Sequence, residues 1–172
     1  AIGTGVISTA LKFGRAPGDA IAAAIASMTT LNRRATDVFL GLPAGSVHAC
    51  TDVTGFGLLG HASEVADASH CTLELDAAAI PLLTGAMALV NGNVPGGGRT
   101  NVEHFASGTR ISRGLDPGLV QLLYDPQPSG GLLVAVSAPQ AGAADSALSA
   151  AGIPAARIGR VLNSTGIRIS VV

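Results

Sequence analysis

Hydrophobic and polar positions repeat with two different periods along the chain, which predicts helices interleaved with strands. Across residues 17–31 the apolar side chains recur every three or four positions, as on one face of a helix. Residues 71–75 instead alternate apolar and polar side chains, as in a half-buried strand. The same criteria predict further helices at 33–40, 57–68, near 82–90, at 119–123 and at 139–151, and strands at 46–53, 132–136, 157–162 and 166–171.

These elements predict one domain of the α/β (or α+β) class, with helices packed on a mixed β-sheet. No internal repeat or linker divides the 172 residues, and this length is enough for a hydrophobic core. The strands at 157–162 and 166–171 are expected to close the fold as a pair. Residues 91–118 contain a Pro-Gly-Gly-Gly run and little periodicity, so they are expected to form a long surface loop.

Composition excludes several classes of protein. Hydrophobic residues make up 48% of the chain and charged residues only 12%, which excludes intrinsic disorder. A net charge of −1 excludes nonspecific electrostatic binding to nucleic acid or to an anionic membrane. The apolar runs at 20–26 and 77–90 are too short or too interrupted to span a bilayer, so a soluble protein is expected. The low charge has two candidate explanations: a face that a partner covers, or a compositional drift towards Ala, Gly and Arg.

The two cysteines, Cys50 and Cys71, are too few for a disulfide framework or a metal knuckle. Both lie in apolar, strand-like runs, so each is expected to be a small buried hydrophobe. Free thiols fit a reducing compartment, and the expected localisation is cytoplasmic.

The strongest candidate chemistry lies where a predicted strand delivers Asp52 to a glycine-containing turn and a helix follows at once. Free N–H groups at a helix N-terminus attract anions, and Mg²⁺ in proteins is commonly held by one or two carboxylates and by phosphate oxygens. Asp52 and the turn at 54–57 would therefore form half of a site for a Mg²⁺-bound nucleotide phosphate. The alternative is an aspartate that only caps the helix.

Two further groups are weaker candidates. His61, Glu64 and Asp67 are spaced three apart on one predicted helix; the first two could share a metal, but a solvated helix face is the simpler interpretation. His48 and Cys50 alternate on a strand and could form a Cys–His nucleophile, although no acid is placed to orient the histidine.

Four segments together resemble one enzyme family. Residues 51–61 read Thr-Asp-Val-Thr-Gly-Phe-Gly-Leu-Leu-Gly-His, and residues 125–133 read Asp-Pro-Gln-Pro-Ser-Gly-Gly-Leu-Leu. Both runs resemble motifs in the C-terminal half of selenophosphate synthetase (selenide, water dikinase). Residues 3–6 and the glycine-rich run 94–97 with Asn101 resemble two more segments of that family, in the same order. The resemblance covers nearly the whole chain.

This resemblance implies a fold like the C-terminal domain of aminoimidazole ribonucleotide synthetase. It also implies the reaction in which ATP, selenide and water give selenophosphate, AMP and phosphate with Mg²⁺. Asp52 is the implied metal ligand, and the implied nucleotide-binding residues are Thr51, Thr54, Gly55 and Gly57. Pro128 stands where the family usually has threonine, so a ligand contact from that turn is in doubt.

The family's reactive Cys or selenocysteine, its lysine and most metal-binding aspartates belong to an N-terminal half that these 172 residues do not resemble. The implied partners are that half, ATP and selenide, with a homodimer for the full-length enzyme. No catalytic residue is assigned to this chain, and alone it is expected to be inactive. The alternatives are another synthetase of the same ATP-using superfamily, or a stand-alone binding or scaffold module without catalysis.

Two smaller expectations complete the set. Arg99, His104, Arg110 and Arg113 within 91–118 either hold phosphate or selenide oxyanions or belong to a solvated loop. Gly130 and Gly131 are expected to permit a positive φ before the strand at 132–136.

Overall fold

Helices and strands are interleaved along the chain, as the hydrophobic pattern predicts, in a computed structural model that describes residues 1–172. Helices α1 to α8 span Thr4–Lys12, Gly18–Thr29, Arg33–Leu40, Gly57–Ala68, Ala86–Leu89, Gly96–Phe105, Pro117–Leu123 and Ala141–Ala150. Strands β1 to β6 span Val47–Asp52, Cys71–Leu75, Thr109–Ile111, Leu132–Val136, Gly159–Asn163 and Ile169–Val171. None of the helices is both long and apolar enough to cross a lipid bilayer.

The strands form a four-stranded mixed sheet and a separate two-stranded ribbon. The mixed sheet has the order β3-β6-β2-β5, with β6 parallel to both neighbours and β5 antiparallel to β2. In the ribbon, β1 pairs antiparallel with β4. The expectation that the last two strands pair with each other is wrong, because β2 lies between them. Strands β6 and β2 hold the two interior positions of the sheet, and Ile169 and Val171 of β6 have no solvent exposure.

The core lies between the mixed sheet and helices α1, α4 and α7. Its largest fully buried side chains include Ile7 of α1, Leu59 of α4, Leu122 of α7 and Ile169 of β6. Helix α4 contacts β1, β2, β6, α6 and α7, and eight of its twelve residues are buried. The helix that follows the candidate turn is therefore anchored on several sides.

Helix α1 was not among the predicted elements. Its sequence begins with the Gly3-Thr4-Gly5 run, which has low helix propensity. The structure supplies the missing stabilisation from the far end of the chain. Gln127 Oε1 accepts hydrogen bonds from the N–H groups of Gly3 (2.9 Å) and Thr4 (3.0 Å) and from the Thr4 hydroxyl (2.8 Å). Side chains more than 120 residues away thus cap this helix.

The buried Asp125 side chain completes this cap. Its Oδ2 atom accepts hydrogen bonds from the N–H groups of Gly5 (3.0 Å) and Val6 (3.2 Å) and from Gln127 Nε2 (2.9 Å). The Oδ1 atom is buried without a hydrogen-bond partner. A carboxylate at a helix N-terminus is electrostatically favourable, whereas its burial opposes the charged form.

The expectation of a surface loop over 91–118 is wrong for much of that segment. Helix α6 begins after Pro95, and β3 joins the mixed sheet. Gly98, Asn101 and Phe105 of α6 are buried. A Cβ atom added to Gly98 would lie 3.2 Å from Val94 Cγ1, so the glycines that lower helix propensity also allow close packing. Tertiary contacts therefore override local propensity here.

The cysteines are both free, but the prediction that both are buried is wrong for Cys50. Cys50 is exposed, because β1 belongs to the two-stranded ribbon and one of its faces meets solvent. Cys71 is half-buried and packs against the core.

We expect Asp125 to make folding less favourable as pH rises from about 4 to about 7. Burial raises the pKa of Asp125 from 3.8 to about 6, against the opposing effect of the hydrogen bonds from Val6, Gln127 and Gly5. The folded state therefore holds this proton more tightly than the unfolded state. The resulting stabilisation is complete below the unfolded pKa and is lost as pH rises through about 6, a change of about 3 kcal/mol.

Urea unfolding of the wild type and of Asp125→Asn at about pH 4.5 and pH 7.5 measures this contribution. The asparagine variant should lack this part of the pH dependence. Asp67→Asn, at an exposed position, should keep the wild-type pH dependence. An identical pH dependence in wild type and Asp125→Asn would show that Asp125 does not titrate between these two values.

Candidate functional site

Asp52 is the last residue of β1 and lies on the exposed face of that strand. Alternation along β1 places His48, Cys50 and Asp52 on this face and Thr51 on the opposite, half-buried face. The Asp52 carboxylate forms no ion pair or hydrogen bond within the chain. The Thr51 hydroxyl donates to the Asp52 carbonyl (3.2 Å), so its side chain does not join the carboxylate. The structure thus separates two of the predicted site residues.

The turn after β1 is held by buried side chains and backbone from two other segments. The Thr54 carbonyl accepts hydrogen bonds from the N–H groups of Gly57 (2.9 Å) and Gln127 (3.0 Å). The Gly55 carbonyl accepts one from Asn101 Nδ2 (3.0 Å), which also donates to the Tyr124 carbonyl (3.0 Å). The carbonyl groups of the turn are therefore engaged by the protein, which fixes the direction of its N–H groups.

Those N–H groups are free. The backbone N–H groups of Thr54, Gly55 and Phe56 donate to no atom of the chain, and both Gly55 and Phe56 are exposed. Successive unpaired N–H groups in a turn before a helix form a concavity that binds anions. The turn therefore presents unpaired hydrogen-bond donors two to four residues after the unpaired Asp52 carboxylate.

Close packing explains two of the glycines around the turn. Gly57 has φ +69°, and a Cβ atom there would lie 2.7 Å from the Tyr124 carbonyl carbon. At Gly55, by contrast, a Cβ atom would meet nothing within 4 Å. The expectation of positive φ at Gly130 and Gly131 is wrong, since neither has one. Gly130 is needed because a Cβ atom would overlap the Val53 carbonyl oxygen.

The donor set suits a hard cation that is shared with a phosphate. Asp52 offers an exposed oxygen ligand without a competing cation, and the adjacent turn offers donors to phosphate oxygens. The chain holds no group of three His, Cys, Asp or Glu side chains that could cage a metal by themselves. Because Mg²⁺ in nucleotide sites is commonly bound by one or two carboxylates together with phosphate oxygens, these residues fit it as a partial site.

The helix that carries His61 does not present a solvated face at that position. His61 is buried, and its Nε2 atom lies 3.2 Å from the Thr54 hydroxyl. Its Nδ1 atom lies 3.4 Å from the Glu64 carboxylate, whereas Asp67 is directed to Arg168 at 3.9 Å. The three residues therefore do not converge on one metal position. His61 instead contacts Thr54 in the turn at 54–57.

The candidate Cys–His nucleophile lacks an activated thiol. Desolvation and then the negative charge of Asp52 raise the pKa of the Cys50 thiol above its ordinary value. The thiolate is the nucleophilic form of cysteine, so this environment disfavours it.

The basic residues of 91–118 are spread over several elements. Arg99 and His104 lie on α6, Arg110 on β3, and Arg113 in the turn that follows β3. Only Arg99 lines the cavity of about 470 Å³ between the end of α1 and the start of α6, where Lys12 is the other cation. The structure therefore does not bring the four together as one oxyanion site.

Sequence reasoning assigned no role to Gln127 or Asn101, although both lie in motifs that carry the resemblance. Both are buried and polar, and together they hold α1 and the turn at 54–57. The available signal was a side-chain amide inside each of two glycine-containing motifs. Its partners became evident only in three dimensions.

Comparisons with known proteins agree with the motifs. The family model described as "AIR synthase related protein, C-terminal domain" matches residues 1–172. The selenide, water dikinase of Agathobacter rectalis is 38% identical over 171 residues, which cover 99% of this chain and 49% of that protein. The selenide, water dikinase of Myxococcus xanthus is 44% identical over 161 residues, covering 93% and 46%. This chain thus spans about half the length of the curated relatives it matches.

A solved structure shows the same fold. The crystal structure of the hydrogenase maturation protein HypE in complex with ATP matches with a TM-score of 0.58 at 24% identity. The match covers 96% of this chain and 41% of that chain. The predicted fold class and the predicted resemblance are both confirmed.

We expect Gly57→Ala to destabilise the chain by about 2–4 kcal/mol, because a methyl group would combine an unfavourable φ with overlap of the Tyr124 carbonyl. Gly55→Ala, two residues away in open space, is the matched control and should change stability by less than about 0.5 kcal/mol. Chemical denaturation measures both. Equal effects of the two substitutions would contradict the close approach of Gly57 to Tyr124.

Proposed function

Because this chain belongs over its full length to the family of AIR synthase related C-terminal domains, we propose that it serves as the C-terminal half of a selenide, water dikinase. Identities of 38% and 44% to two such enzymes, each across more than nine-tenths of the chain, support this assignment. In the proposed reaction, ATP, selenide and water give selenophosphate, AMP and phosphate. This chain would belong to an ATP-dependent phosphotransferase.

The observation that carries the proposal is the unpaired Asp52 carboxylate beside a rigid turn with unpaired N–H groups. In the proposed role, Asp52 binds Mg²⁺, and the Gly55 and Phe56 N–H groups donate to phosphate oxygens of ATP. Mg²⁺ would neutralise charge on the transferring phosphate groups. Hydrogen bonds from Gln127 and Asn101 keep the turn in place, so little reorganisation is needed when the nucleotide binds.

Thr51 has a different proposed part. Its hydroxyl, on the half-buried face of β1, donates a hydrogen bond to the Asp52 carbonyl oxygen. In this role Thr51 supports the end of the strand and does not contact the nucleotide. Thr54 and Gly57 shape the turn from within. Pro128 is exposed and lacks an N–H group, and the turn at 54–57 uses the neighbouring Gln127 N–H group for support.

We further propose that the other half of a longer enzyme covers part of this chain's apolar surface. Large hydrophobic side chains that are between 38% and 77% exposed include Leu11, Phe13, Ile25, Leu31, Leu40, Phe56, Met87 and Val161. A partner surface is one ordinary reason for so much exposed apolar area in a chain with 12% charged residues. On this proposal the assembled enzyme is a cytoplasmic homodimer, and the chain alone does not catalyse the reaction.

The proposal is tested by adding the separately expressed N-terminal half of the Myxococcus xanthus enzyme to this chain. Association is measured first, by analytical ultracentrifugation. The mixture then receives ATP, Mg²⁺ and selenide, and selenophosphate is detected by phosphorus NMR. We expect product from the mixture, none from either half alone, and at least a hundredfold less product with Asp52→Asn, since this change removes the only proposed metal ligand of this half.

Asp37→Asn is the matched control, because it makes the same chemical change at an exposed position of α3. It should leave product formation unchanged. Associated halves that make no selenophosphate would contradict the assignment and favour a sister synthetase, to be tested with a formylglycinamidine substrate. Halves that do not associate, together with no binding of the dye ANS to this chain, would favour a stand-alone module.

A further inference from the structure

A buried asparagine holds the central peptide group of the turn at 54–57. Asn101 of α6 is 5% exposed, and its Nδ2 atom donates to the carbonyl oxygens of Gly55 (3.0 Å) and Tyr124 (3.0 Å). Both neighbours are backbone carbonyl oxygens, which only accept hydrogen bonds, so the amide nitrogen and not the amide oxygen must lie between them. The direction of these two hydrogen bonds is therefore fixed by the chemistry of the groups.

The turn is a β-turn of type I whose central peptide group joins Gly55 to Phe56. The Gly57 N–H group donates to the Thr54 carbonyl oxygen (2.9 Å) and closes the turn. Phe56, the third residue of the turn, has φ −87° and ψ 0°, as type I requires. A type II turn differs by a rotation of the central peptide group through about 180°, which exchanges the positions of its C=O and N–H groups.

Hydrogen bonds to the carbonyl groups decide where the N–H groups of the turn point. A planar trans peptide group directs its C=O and N–H bonds in opposite directions. Because Asn101 holds the Gly55 carbonyl, the Phe56 N–H group points away from Asn101. The Thr54 carbonyl is held by the Gln127 N–H group (3.0 Å), so the Gly55 N–H group points away from Gln127. In the rotated turn, the Gly55 carbonyl oxygen would replace the Phe56 N–H group and would repel an anion.

Helix α6 can bring Asn101 to the turn because its first residues have no side chains. A Cβ atom added to Gly97 would lie 3.4 Å from Pro126 Cγ, and one added to Gly98 would lie 3.6 Å from Pro126 Cδ. Side chains larger than a methyl group would have to displace this ring. The glycine-rich run therefore allows the close packing that places the Asn101 amide between two carbonyl groups.

We propose that Asn101 is a positioning residue, which holds the Gly55–Phe56 peptide group so that the turn presents an N–H group, and not a carbonyl oxygen, to a phosphate group. This inference rests on the proposed function in one respect, namely that phosphate oxygens bind at this turn. The orientation of the peptide group is a property of the chain alone and can be measured without any ligand.

The first test measures this orientation by NMR in the variant Phe56→Gly. A type II turn needs a positive φ at its third residue, which glycine adopts readily and phenylalanine does not. Phe56→Gly removes that restraint and leaves the hydrogen bond from Asn101 in place. Nuclear Overhauser effects distinguish the two turns. Type I brings the amide hydrogens of residues 55 and 56 together, whereas type II brings the Hα atoms of residue 55 close to the amide hydrogen of residue 56.

We expect a type I turn in Phe56→Gly and a type II turn once Asn101→Leu is added. Asn93→Leu in the same background is the matched control and should keep type I, because Asn93 is equally buried but donates to the Leu89 carbonyl of α5 (2.7 Å). Circular dichroism checks that each variant is folded, and Asn101→Ala replaces Asn101→Leu if the latter does not fold. A type I turn in the folded double variant, or a type II turn in Phe56→Gly alone, would overturn the proposal.

The second test measures phosphate recognition in the chain labelled with nitrogen-15. Inorganic phosphate and Mg²⁺ are added, and binding is followed at the Gly55 and Phe56 amide signals. We expect Asn101→Leu to weaken phosphate binding about tenfold, as expected for the loss of one hydrogen bond to a charged group. Asn93→Leu should bind phosphate as the wild type does. Unchanged binding by folded Asn101→Leu would overturn the role of Asn101 in recognition.

The outcomes separate this proposal from the proposed function. If the wild type shows no phosphate-dependent shift at the two amide signals, the phosphate role of the turn is overturned, and the recognition role of Asn101 with it. The Overhauser measurement would then still decide whether Asn101 fixes the peptide group. If the wild type responds to phosphate and Asn101→Leu does so only at about tenfold higher concentration, both proposals are supported.

Discussion

The structure depends on one buried polar segment, Asp125-Pro126-Gln127. Its side chains accept hydrogen bonds from the first turn of α1, and the Gln127 N–H group donates to the turn at 54–57. Buried polar groups are costly unless they are paired, so this segment binds together parts of the chain that are far apart in sequence. Gly5 allows that approach, because a Cβ atom there would overlap the Pro126 carbonyl oxygen.

This arrangement would preorganise the turn after β1 for the binding role proposed for it. The protein engages the carbonyl groups of Thr54 and Gly55 from behind, and His61 engages the Thr54 hydroxyl. The N–H groups of the same turn and the exposed Asp52 carboxylate have no partners within the chain. Rigidity and unpaired polar groups are thus produced by the same set of hydrogen bonds, which is what preorganised binding requires.

The spacing of hydrophobic residues predicted most of the helices and strands. Of these, α3, α4, β2 and β4 have the predicted bounds. Long periodic patterns of apolar residues predict helices and strands well, because the period shows which face of the element is buried. The errors fall where local composition opposes the fold. Helix α6 begins with three glycines, and α1 has Gly3 just before it and Gly5 in its first turn; both helices are stabilised by contacts with the segment at 125–127. Cys50 lies in an apolar run, yet its ribbon leaves one face exposed.

The sequence by itself determined the class of the fold, the family resemblance and the position of Asp52 at the end of a strand before a turn. These depend on residue type and spacing along the chain. Only the tertiary structure decided that β2 separates β5 from β6, that Gln127 caps α1, and that His61 reaches Thr54. Strand order and side-chain hydrogen bonds depend on groups that lie apart in sequence and come into contact only when the chain packs. A local sequence pattern carries no information about such long-range contacts.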